Sequence, residues 1–224
     1  MQCWLNWTGL SINPHPDAIK LLKQNPDKIN WYVLSGNPQA IELLKQNLDK
    51  ICWWRLSRNK NAIELLKQNP DKIDWRHLSV NPNAIELLKQ NPNKIDWSEF
   101  SLNPHREAIK LLKQNPDKIN WRNLSGNINY EAIELFKQNP TKIDWSEFSI
   151  NPSTTDILKK NIDKIYLSEL SRNTNMNVIN LLDQNTDLIN WKKLLSNPSA
   201  NKILKKNPDK IVLFYFCSNP LLFK

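Results

Sequence analysis

The sequence predicts an all-α protein: an α-solenoid of short paired helices repeating every 22–24 residues. Three observations predict it. Thirteen of the 14 prolines directly follow an asparagine, and only Pro16, after His15, does not. A tryptophan column runs through Trp7, Trp31, Trp53, Trp75, Trp97, Trp121 and Trp145 and is continued by Leu167, Trp191 and Leu213, with every spacing 22 or 24 residues. Apolar runs such as Ala40-Ile41-Glu42-Leu43-Leu44 carry helical rather than alternating periodicity.

The Asn-Pro dipeptides come first, because they divide the chain. Asparagine is a favoured helix N-cap and proline suits the next position, where its missing N–H would have no partner. The ring also disfavours helical geometry in the residue before it, so each Asn-Pro is expected to end one helix and start another. Each repeat then holds two segments of about ten residues, too short to be stable alone. They are helix A, as in Asn69-PDKIDWRHLS, and helix B, as in Asn81-PNAIELLKQ. In helix B, Ala40, Ile41, Leu43 and Leu44 lie within about 160° of arc, one buried face. Helix A spreads its apolar residues more widely, as a helix with neighbours on two sides should. Where the period is 24, two residues are added between Asn-Pro and the apolar run, as in Asn103-Pro104-His105-Arg106-Glu107-Ala108 beside Asn81-Pro82-Asn83-Ala84. A fixed period with insertions at one locus marks a repeat array.

A leucine-rich repeat shares the period and the recurrent asparagine. Its strand needs alternating leucines, whereas the corresponding place here carries a polar serine at Ser35, Ser57, Ser79, Ser101 and Ser125. The AIELLKQ runs also favour helix. The expectation is one repeat domain over residues 1–224 with about nine helix pairs, on the order of 90 Å long at about 10 Å per stacked layer. Residues 1–6 and 213–224 would be partial repeats. Both ends read as apolar: Trp4, Leu5 and Trp7 at one, and Leu213, Phe214, Tyr215, Phe216, Leu221, Leu222 and Phe223 at the other. They would be atypical caps or surfaces for self-association.

From Asn81 to Trp97 the chain reads NPNAIELLKQNPNKIDW. This motif resembles tandem repeats in uncharacterised proteins of giant DNA viruses that infect amoebae and other protists, and the resemblance covers the chain from about Trp7 to Asn219. It implies a viral origin and a repeat fold, and carries no activity and no site residues. The eighth repeat departs from the pattern, with Asp183 and Leu188 where lysines recur elsewhere.

Comparing the repeats with one another separates scaffold from free positions. The tryptophan column reads as stacked core and the asparagine column as caps. Two lysine columns would form stripes. One lies in LLKQN, with Lys45, Lys67, Lys89, Lys113 and Lys137 as candidates for a basic track, and the other in DKI. Spaced cations suit phosphates or an acidic protein, but Glu42, Glu64, Glu86 and Glu134 adjoin the first stripe. The two residues after each tryptophan vary most. A partner-binding face there would rest on Trp54, Arg55, Arg76, His77, Arg122 and Lys192, since aromatic and arginine side chains dominate interface energies. The repeated Ser-Glu at this place argues against a base-by-base code.

The remaining composition excludes classes. The formal net charge is +9, from 31 Lys and Arg against 22 Asp and Glu. No run of about 18 apolar residues exists to span a bilayer, and no leader segment is recognisable at the start. Cys3, Cys52 and Cys217 are scattered and odd in number, which suits a reduced compartment, the cytoplasm, or the host cytoplasm if the chain is viral. The three glycines can hardly build a phosphate loop, and His15, His77 and His105 are isolated. No enzyme, cofactor or metal is expected. The leading expectation is a non-enzymatic protein-interaction scaffold. The alternatives are sequence-independent nucleic-acid binding through the lysine stripes and a structural virion component.

Overall fold

A computed structural model describes residues 5–211 apart from 185, 187 and 188. Among the described residues the protein is built of 18 short α-helices and intervening 3-10 turns, with no strand. The chain divides into two compact units, Met1–Gln114 and Asn115–Lys224. Trp4 and the apolar stretch from Leu213 onward lie outside the described residues.

Helix A is not one helix of about ten residues. It is a three-residue 3-10 turn, such as Pro70–Lys72, and a separate short α-helix, such as Trp75–Ser79. Between them Ile73 is extended, and Asp74 starts the second piece by accepting from the backbone N–H of His77. The same capping comes from Asn30, Asp96, Asn120, Asp144 and Asn190. An Asn or Asp just before the tryptophan is therefore a start signal that interrupts the run. Helix B is five residues in Ile41–Lys45 and nine in Arg106–Gln114. The two inserted residues thus extend this helix at its N-terminal end.

The two asparagines of each repeat differ. Those after LLKQ, for example Asn25, Asn69 and Asn139, make no side-chain cap to the turn that follows. Each instead donates Nδ2 back to the carbonyl four residues earlier, as Asn69 does to Leu65 at 2.9 Å, and so closes helix B. The expectation that every Asn-Pro asparagine is an N-cap is corrected for this set. The other set, including Asn37, Asn59, Asn81, Asn151 and Asn197, does cap, through Oδ1, and does more. Asn81 Oδ1 accepts from the Asn83 N–H at 3.0 Å, while its Nδ2 donates to the carbonyls of Ser57 (2.9 Å) and Asn59 (3.0 Å) in the preceding repeat. Asn37, Asn59 and Asn103 repeat this in the first unit, and Asn151, Asn173 and Asn197 in the second.

The serine that argues against a leucine-rich repeat works beside it. Ser57 Oγ donates to the Trp53 carbonyl at 2.9 Å and accepts the Asp74 N–H of the next repeat at 3.1 Å. Ser11, Ser35, Ser79, Ser125, Ser149 and Ser171 accept in the same way. Burying a polar group is tolerable only when it is hydrogen-bonded. Within each unit these Ser and Asn side chains meet that condition by tying one repeat to the one before.

The apolar core lies elsewhere than in the tryptophans, which are only half-buried. Its fully enclosed columns are Leu34, Leu56, Leu78 and Phe100, then Ala40, Ala62, Ala84 and Ala108, then Leu22, Leu44, Leu66, Leu88 and Leu112. In the second unit Phe148 and Phe136 replace leucines and meet edge to face at 5.2 Å. The tryptophans cover this core: Trp97 on Phe100, Trp121 on Phe136 and Trp145 on Phe148. An indole this large, two residues beyond an extended isoleucine, flanks the core instead of entering it.

Candidate partner-binding face

The residues after each described column tryptophan sit on the first turn of its helix; an Asn or Asp cap accepts the second residue's N–H, as for His77 and Glu99, whereas Cys52 gives Arg55 no such cap. In the first compact unit, Tyr32, Trp54 and His77 follow one another in successive repeats. Tyr32 and Trp54 meet edge to face at 5.8 Å, and Trp54 and His77 at 4.8 Å. The Arg55 guanidinium lies 4.0 Å from the Tyr32 ring centre and 4.8 Å from that of Trp54. Trp54, Arg55 and His77 are thereby brought together, with Tyr32 as a fourth member. Arg76, mostly exposed, turns instead to Glu99 at 3.4 Å.

His77 Nδ1 is 3.0 Å from Asp74 Oδ1, without the alignment of a hydrogen bond. Partial burial disfavours the Asp74 carboxylate. The His77 backbone N–H, its imidazole and Arg76 outweigh that and hold the carboxyl below its ordinary range.

Arg122 and Lys192 lie in the second unit. Arg122 pairs with Glu147 at 3.4 Å and reaches Asp144 at 3.8 Å, while Lys192 is exposed. There Glu169 pairs with Lys193 of the next repeat and with Arg172.

Four of these contacts share one pattern, in which the first residue of a dipeptide meets the second residue of the dipeptide one repeat later: Tyr32 with Arg55, Trp54 with His77, Arg76 with Glu99, Arg122 with Glu147; Tyr32 with Trp54 and Glu169 with Lys193 depart from it. Much of the variation after the tryptophans is therefore neighbour matching, which sequence reasoning missed. The signal was present as complementary residues 23 or 25 apart.

The lysine stripe is largely masked. Lys45, Lys67, Lys89 and Lys137 each pair with the glutamate three residues earlier, at 2.7, 2.8, 3.1 and 2.7 Å. The Glu134 contact raises the Lys137 pKa, stabilising its ammonium form. Lys113 has no carboxylate at ion-pair distance among the described residues. In the DKI stripe, Lys72, Lys118 and Lys210 pair with the preceding aspartate, and Lys50 and Lys164 lie over Trp31 and Trp145. A groove of about 580 Å³ in the second unit is walled by Phe136, Trp145, Ile157, Lys159, Lys160 and Lys164, among others.

Among the described residues no cluster of three or more His, Cys, Asp or Glu is placed to hold a metal ion, and no helix is long and apolar enough to cross a membrane. Compared with protein-family models, with curated proteins and with solved structures, the chain matches none.

Proposed function

We propose that the protein is a non-enzymatic interaction scaffold of viral origin, an α-solenoid that engages a protein partner along the face carrying the post-tryptophan dipeptides. One observation carries the reading. The serine, asparagine, leucine and alanine columns complete the scaffold without those dipeptides, and the first unit then gathers Tyr32, Trp54, Arg55 and His77 into one aromatic and cationic cluster. Such side chains dominate the energetics of protein interfaces.

Two experiments test it. A stacked rod on the order of 90 Å has a radius of gyration of about 27 Å, against about 17 Å for a compact globule of this length. Small-angle scattering at the globule value would refute the solenoid. For the face, binders selected from a displayed peptide library should lose affinity when Trp54 and His77 become alanine, with the circular dichroism unchanged. Binders that ignore the face and depend on other surfaces would refute it.

Nucleic-acid binding has one observation in its favour, the Trp145 groove with Lys159, Lys160 and Lys164. Against it, glutamates occupy most of the stripe, and Lys164 already covers the Trp145 ring at 5.3 Å, where a base would stack. Absence of binding to random single strands at low salt would dispose of it.

A further inference from the structure

We infer that Arg55 and Arg58 form an anion clamp on this face, built to take a carboxylate of an acidic segment of the protein partner. The inference rests on the scaffold reading and supplies the partner's chemistry.

The clamp is an exception to a pattern. Several cations on or just after the corresponding helices meet acids from the same or a neighbouring repeat: Arg76 with Glu99, Arg122 with Glu147, Lys193 and Arg172 with Glu169. Arg55 and Arg58, in the helix Trp53–Arg58, have no carboxylate at ion-pair distance among the described residues. The neighbour-matching rule explains why. The position that supplies Glu99 to Arg76 is Arg55 itself in this repeat, and it faces Tyr32 where an acid would be needed. The guanidinium is held between two rings, and its Nε is shielded from solvent with no acceptor. A carboxylate satisfies a guanidinium through two parallel hydrogen bonds, and for Arg55 these fall to the terminal Nη groups, since the enclosed Nε admits no ligand from solvent.

Space for the ligand is present. Trp54, Arg55, Arg58 and Gly36 line a cavity of about 360 Å³. Gly36 keeps it open: the corresponding place holds Val80 and Leu102 in later repeats, and a Cβ at Gly36 would meet nothing closer than the Val33 carbonyl at 3.6 Å. A larger residue there would fill the cavity without backbone strain. Two arginines around one aromatic wall form a focus, whereas a phosphate backbone needs cations at intervals along a track.

The probe is a fluorescein-labelled hexaglutamate peptide, followed by anisotropy at low salt, with labelled oligothymidylate of equal charge as comparison. Replacing both Arg55 and Arg58 by Gln should weaken hexaglutamate binding by about tenfold or more, the scale of a charge-assisted hydrogen bond. Gly36→Leu, which keeps every charge, should weaken it comparably. Lys20→Gln and Lys202→Gln, on exposed lysines that belong to neither the dipeptides nor the lysine stripes, should leave it within about twofold, since screened surface charges contribute little. Comparable losses from all three charge-removing changes, with none from Gly36→Leu, would mean diffuse attraction to net charge and overturn the clamp, as would no binding at all. Tighter, clamp-dependent binding of oligothymidylate would overturn the carboxylate assignment. If selected binders need Trp54 but not the arginines, the clamp fails and the scaffold reading stands. If hexaglutamate needs the clamp while selected binders ignore the face, the reverse holds.

Discussion

Replacing Asn81 by alanine removes three hydrogen bonds from a side chain that is 1% exposed. The Oδ1 cap on Asn83 contributes about 1 kcal/mol. Loss of the two Nδ2 bonds leaves the Ser57 carbonyl without its partner, at about 1–3 kcal/mol, whereas the Asn59 carbonyl keeps the Ala62 N–H at 3.1 Å and loses only about 0.5–1 kcal/mol. The expected cost is about 2–4 kcal/mol after allowance for water entering the vacated space. Asn69→Ala removes a single, part-buried bond to Leu65 and should cost about 1 kcal/mol. Urea unfolding followed by far-UV circular dichroism measures both. Asn81→Asp sharpens the test, because it retains the cap and replaces the Nδ2 donor by an acceptor oxygen facing two carbonyls. The introduced carboxyl must hold a proton to bond those carbonyls, so its folded pKa is raised above its unfolded value. That variant should lose stability as pH rises from about 4, the unfolded aspartate value, toward neutrality. Costs for Asn81→Ala and Asn69→Ala within about 1 kcal/mol of each other, within the spread of one hydrogen bond, would refute the idea that these asparagines hold successive repeats together.

Phe148→Ala, at a fully enclosed position, should cost about 3–5 kcal/mol, and Trp75→Ala, on a half-buried ring, about 2–3 kcal/mol; thermal denaturation that ranks them the other way would restore the tryptophans to the core. Exchanging Arg76 and Glu99 should recover most of what Arg76→Glu alone loses, about 0.2–1 kcal/mol in a double-mutant cycle, and no recovery would break the neighbour-matching rule. Asp74 has a depressed pKa, so its contribution is complete above the unfolded aspartate value and is lost as pH falls through the folded one. Asp74→Asn, which keeps a capping oxygen, should therefore flatten the acid limb of a stability profile below about pH 4, and an unchanged limb would show that Asp74 does not contribute there.

The helical class and the repeat were legible because both are written in local signals. Asn-Pro, the 22- and 24-residue spacings and the apolar face of Ala40, Ile41, Leu43 and Leu44 act within one turn or one repeat. The break inside helix A was legible too, in the Asn or Asp before most tryptophans of the column, but the continuous polar-apolar run hid it. Trp54, Arg55 and His77 were singled out as variable, aromatic or cationic. Their stacking on Tyr32, and the role of Arg58 and Gly36, depend on which side chain of the next repeat comes opposite. Periodicity along one chain does not state that.

By itself the sequence determined the helical class and the repeat boundaries, since capping and proline geometry depend on a few adjacent residues. It also determined that no repeat could stand alone, since each has one short apolar face. Only the tertiary structure decided how the repeats are joined. Ser57, Asn81 and their equivalents are enclosed because neighbouring repeats supply their partners across 17 to 26 residues. The same packing leaves the tryptophans on the flank and Arg55 without an acid, because burial and pairing depend on what a neighbouring repeat presents.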